Sequence, residues 1–94
     1  MAIYIPLRKV LEQADFAEYV YFVQVYVQDE QRPKRNRVSC TRFGRLRVQK
    51  GNGNIEIVIP MVGDEKGFVV SRAMRVVHKH WQDGKYPDET CYAA

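Results

Sequence analysis

The chain predicts an α+β fold: an antiparallel sheet of about four strands with one amphipathic C-terminal helix packed on one face. Three observations lead there. Residues 18–28, EYVYFVQVYVQ, alternate at period two and are dominated by β-branched and aromatic side chains. Residues 51–54, GNGN, separate two alternating segments with residue types that tolerate the positive φ of a tight hairpin. From Val70 onward the apolar spacing changes from two to three and four, the mark of a helix. Ninety-four residues supply one core, so a single domain over residues 1–94 is expected.

The first dozen residues are ambiguous. Ile3, Ile5 and Leu7 alternate as in a strand, whereas Leu7, Val10, Leu11 and Ala14 fit one helical face. Tyr4, Ile5 and Val10 are poor helix formers and Pro6 blocks a helix across that point, so a strand is favoured. In residues 18–28, Tyr19, Tyr21, Val23, Val25 and Val27 share one face and predict core. The opposite face, with Val20, Phe22 and Tyr26 beside Gln24 and Gln28, implies a partial cover by a helix or another subunit.

DEQRPKRN, from Asp29, reads as an exposed loop, and the strand signal resumes near Val38. Val38, Cys40, Leu46 and Val48 then fall inward, and Ser39, Thr41, Phe43, Arg45, Arg47 and Gln49 outward, with Gly44 expected to mark a bend or bulge. The return strand carries Ile55, Ile57 and Ile59 and ends at Pro60. Val70, Ala73, Met74, Val77 and Trp81 line one face of a helix of about fifteen residues. Asp64 and Glu65 near its start and His78, Lys79, His80 and Lys85 near its end complement the helix dipole, and Gly84 with Pro87 supplies the stop.

Charge is unevenly placed. The net +4 arises from residues 32–50, which carry eight basic side chains and no acid, while the flanking segments are slightly acidic. Arg42, Phe43, Arg45 and Arg47, extended by Arg32, Lys34, Arg35 and Arg37, form a candidate nucleic-acid surface: cations for phosphates and a ring for an unstacked base. The bland account is a solvated strand protected from aggregation by charge. The string TRFGRLRVQ lacks the second aromatic pair of an RNA-recognition motif, and one helix falls short of the two that fold needs. Arg72, Arg75 and Lys79 form a second basic stripe, on the helix, read as a solvated face, with an acidic partner, nucleic acid or the Asp and Glu residues of another protein, as the alternative.

Other chemistries find little support. His78 and His80 at i, i+2 point about 200° apart on a helix, against the i, i+4 spacing of zinc sites, so no metal is expected. Trp81 reads as a packing anchor whose indole nitrogen finds an acceptor near Gly84. Cys40 and Cys91 are too few and too far apart for a disulfide framework, a redox pair or a zinc site, and are expected to be free thiols. The one Cys and His pairing the sequence motivates places Cys91 near His80. GNGN precedes no helix, so the logic of a phosphate-binding loop has no context. No cofactor is expected.

The segment from Gly44 to Tyr92 resembles small uncharacterised bacterial proteins, some carried on mobile gene cassettes. The residues behind this are Gly44, Arg45 and Leu46, then Gly63 and Asp64, Arg72 and Ala73, and His80, Trp81, Gly84, Pro87, Thr90 and Cys91. The resemblance implies a sheet with one helix and transfers no catalytic or binding residue.

The function expected from the sequence is that of a small non-enzymatic interaction protein. It would be homodimeric through an apolar sheet surface around Val20, Phe22 and Tyr26, because one helix covers only about 10 Å of sheet width. A nucleic-acid-binding module using residues 32–47 and a small enzyme with a Cys91/His80 site are the alternatives. No apolar run approaches the ~18 residues of a membrane span, and a cytosolic protein is expected.

Overall fold

The computed structural model describes residues 4–29 and 32–93, the side chains of residues 25–40 excepted. Five strands and one helix follow in the order β1 (Tyr4–Glu12), β2 (Phe16–Asp29), β3 (Arg32–Gln49), β4 (Ile55–Ile59), α1 (Phe68–Asp83) and β5 (Glu89–Ala93). They form one antiparallel sheet in the order β4-β3-β2-β1-β5 with α1 packed on one face. The α+β arrangement is therefore present, with five strands instead of about four. The added strand is β5, which α1 carries from the β4 edge to the β1 edge.

Residues 4–12 are strand, as Pro6 and the β-branched residues around it dictate. Pro6 stands opposite Cys91 on β5. Lys9 N donates to Asp88 O, so the antiparallel alternation makes Leu7/Thr90 and Ile5/Tyr92 the hydrogen-bonded pairs and leaves Pro6 where no N–H is needed.

Alternation sends Ile5, Leu7, Ala17, Tyr19, Tyr21, Leu46 and Val48 to the helix side, all buried. Ala73 and Val77 are the fully buried residues of α1, with Val70, Met74 and Trp81 half-buried beside them. The expected core face of the helix is thus the one in contact. Tyr19 Oη donates to Pro87 O at 2.7 Å, and burial pushes its phenol up to about 12.

Each end of α1 has its own chemistry. Gly67 at the N-cap is left-handed (φ 72°) and offers no side chain. The carboxylate of Asp64 takes that role from the preceding turn, accepting from Val69 N at 3.0 Å and Val70 N at 2.9 Å. Gly84, left-handed at φ 70°, closes the C-terminus with its N–H on the His80 and Trp81 carbonyls. Trp81 Nε1 donates to Lys50 O at 3.0 Å, in the β3–β4 turn and not near Gly84. Its indole lies over Gly53, where φ is 77° and a Cβ would collide with the ring.

Two further expectations are corrected. Gly44 does not bend β3: its pairing with β2 is regular there, and the irregularity lies between Arg45 and Leu46 on the β4 side. The expected loop from Asp29 is largely strand, because β3 begins at Arg32 and pairs back to Asp29, helped by register shifts at Val25/Tyr26 and Gln28/Asp29. β1 pairs with β2 only as far as Tyr21, and β4 with β3 only as far as Arg45. Beyond them eight residue pairs, Phe22/Phe43 to Asp29/Arg32, form a two-stranded ribbon that draws the molecule out to 52 × 21 × 21 Å.

Candidate functional site: the uncovered sheet face

The helix occupies one face of the sheet, so alternation leaves the other face with Pro6, Glu18, Val20, Phe22, Phe43, Arg45 and Arg47. Val20 and Phe22 are half-buried and Phe43, directly opposite Phe22, is 52 % exposed. Tyr4 on β1, at 64 %, and Ile59 on β4, at 40 %, extend the apolar supply.

At the centre of this face is a carboxylate. Glu18 is 2 % exposed although no helix covers it, because its own neighbours close over it. Leu11 stands opposite on β1 and Arg47 opposite on β3. Arg45 Nε donates to Glu18 Oε1 at 2.5 Å, and Arg47 reaches Oε2 with Nε at 2.8 Å and Nη2 at 2.6 Å. The Arg47 guanidinium also lies 4.5 Å from the centre of the Phe16 ring. Burial pushes the Glu18 carboxyl up, but the hydrogen bonds from Arg47 and Arg45 outweigh it and hold the group below its ordinary range.

This network redistributes the basic strand. Arg45 and Arg47 are held by Glu18, so the trio carries +1 where the two arginines alone would carry +2. Arg42 pairs with Val23 in register and lies on the helix side of the sheet, its guanidinium against Gly63. Arg42 therefore does not share a face with Arg45 and Arg47, and among the described residues it has no ion-pair partner. Phe43 is on the Arg45 and Arg47 face. Arg32, Lys34, Arg35 and Arg37 lie on the ribbon, and their side chains, with those of Tyr26 and Cys40, are outside the described residues.

Glu18 carries no site signal in composition or motif. A loop centred on residues 32 and 33 would nonetheless have set it opposite Arg47, so pairing register is where the contact is written.

No family model, curated protein or solved structure matches the chain.

The Cys91 and His80 pairing is not formed. His80 Nε2 lies 2.8 Å from Thr90 Oγ1, and strand alternation turns Cys91, opposite Pro6, to the other face. Cys91 is a free, exposed thiol. His78 stacks on Trp81 at 5.5 Å between ring centres, and among the described residues no cluster of three His, Cys, Asp or Glu is placed to hold a metal. Among the described residues no helix is long and apolar enough to cross a membrane.

Proposed function

We propose that this is a non-enzymatic interaction protein that works as a homodimer, two copies meeting through the sheet face that carries Val20, Phe22 and the ribbon residue Tyr26. The observation that carries the reading is the ribbon. A two-stranded ribbon is marginal in water by itself, yet here eight residue pairs rich in Phe, Val and Tyr pair with no third strand among the described residues. Covering the ribbon and the adjoining face gives that sequence a reason. The free Cys91 thiol fits a reducing, cytosolic setting.

Light scattering after size exclusion tests this at 50 and 500 mM salt with and without nuclease. A dimer that persists at high salt and becomes a monomer on Phe22→Glu and Phe43→Glu is expected. A strict monomer at several hundred micromolar would end the proposal.

A second reading rests on a different observation: Arg42, without a carboxylate partner among the described residues, and exposed Phe43, on opposite faces of the sheet, stand at the base of a ribbon with four further basic residues. A two-stranded ribbon fits the major groove of duplex DNA. That reading expects nucleic-acid binding that weakens steeply with salt and is lost on Arg42→Glu. Binding that is absent, or indifferent to salt, removes it.

A further inference from the structure

The two edges of the sheet are built differently. Opposite β4 the register shifts between Arg45 and Leu46, and Pro60 follows its last residue, two devices that discourage another strand from adding there. β5 has neither. Its pairing with β1 runs without a shift from Glu89 to Ala93, and its sequence, ETCYA, contains no proline and no lysine.

The hydrogen-bonding pattern fixes what this edge presents. Thr90 and Tyr92 belong to the pairs bonded to β1, so the N–H and C=O groups of Glu89, Cys91 and Ala93 point outward. Among the described residues no strand takes them, since β5 ends the sheet.

Beside this edge lies a cleft of about 480 Å³ between α1 and β5, walled by Arg75, Lys79, His80 and Asp83 on the helix and floored by residues 90–93. The hydrogen bond between His80 and Thr90 ties helix to strand at the groove. Along the helix, residues 75 to 83 span about 12 Å. Four strand residues span about 13 Å. The groove thus has the length of a short extended segment.

Its charge selects the occupant. Arg75 and Lys79 stand one helical turn apart, and neither has a carboxylate partner among the described residues. Asp83 is the acid at one end of the wall. We infer that the groove between α1 and the β5 edge binds an extended acidic peptide segment of a partner protein as a sixth strand. The segment pairs its backbone with Glu89, Cys91 and Ala93 and sets alternate Asp or Glu side chains against Arg75 and Lys79. Main-chain bonds give affinity in this mode, and the side chains facing the helix give selectivity.

Fluorescence anisotropy with labelled six-residue peptides tests it. A peptide alternating Val and Glu is expected to bind at least tenfold more tightly than one alternating Val and Lys. N-methylation of every second amide should abolish binding in one of the two possible registers. Arg75→Glu combined with Lys79→Glu, at exposed or wall positions of the helix, should weaken the acidic peptide tenfold or more. Cys91→Pro removes one outward N–H without touching a bond to β1 and should do the same, while its circular dichroism stays that of the parent. Phe22→Glu should leave the affinity unchanged, which separates this site from the dimer face. Equal binding of acidic and basic peptides, no binding at millimolar concentration, or an affinity indifferent to Cys91→Pro would overturn the proposal. So would a dimer that dissociates on Cys91→Pro, because the edge would then pair with a second copy.

Discussion

The phenol ring of Tyr21 lies across the backbone of Gly44, the residue directly opposite it on β3. A side chain at Gly44 would occupy the space of the ring. Tyr21 uses that space to cross β3 and approach the backbone of Met61, beyond the end of β4. One side chain thus joins β2 to the turn that leads into α1.

Gly44→Ala is expected to destabilise the fold by about 2 kcal/mol, the usual scale of overpacking a tight site. Chemical denaturation measures it. In a Tyr21→Leu background the same change should cost under about 0.5 kcal/mol, and an equal cost in both backgrounds would show that the ring is not the cause.

Glu18 predicts an acid-sensitive fold. Its folded pKa lies below the ordinary 4.5 because Arg47 and Arg45 outweigh burial, so its contribution is complete above 4.5 and is lost as pH falls through the folded value. Glu18→Gln should cost about 2 kcal/mol at pH 7, since it leaves two arginines, each about a third exposed, without their carboxylate. Urea midpoints between pH 7 and pH 2 should fall less steeply in the variant than in the parent.

His80 has the opposite charge type and the same direction of effect. Burial holds its pKa below 6.5, Asp83 opposing and Lys79 assisting, so the neutral ring is the folded form. Its stabilisation is complete above 6.5 and is lost as pH falls through the folded value. An NMR titration of the imidazole should give a midpoint below 6.5, and His80→Asn should remove that portion of the pH dependence. A midpoint at or above 6.5 would contradict the half-buried contact with Thr90.

Asp64 acts as a cap delivered from outside the cap position. Asp64→Ala should cost about 1 kcal/mol by exposing the Val69 and Val70 amides. Thermal denaturation followed at helical wavelengths reads it. Asp64→Asn should recover part of the loss, because an amide oxygen still accepts.

Much of this architecture is legible in periodicity. Tyr19 and Tyr21, Ala73 and Val77, and the turn around Gly53 follow from spacing and turn chemistry alone, because each is decided by residues close in sequence. The misses have one cause in common: they depend on what lies across the sheet. Gly44 looks like a bend until Tyr21 is known to face it. Trp81 finds its acceptor on Lys50, a residue 31 positions away. β5 is five residues long and follows Pro87, too short for a pattern, and its strand character comes from the free edge of β1. Arg45 and Arg47 read as a solvated or phosphate-binding stripe because Glu18 belongs to another strand.

The strand order sets the sequence of assembly as well as the final shape. β1 through β4 follow one another as neighbours, so their contacts close short loops and form early. β5 reaches β1 only where α1 has crossed the sheet, and its pairing of Tyr4 with Ala93 joins residues far apart in sequence. Of the five strands, β5 is the one whose pairing closes the longest loop. A chain that stops before Glu89 would present β1 as an open edge and expose Ile5 and Leu7 on one flank, so the hazard of mispairing falls on nascent and truncated chains.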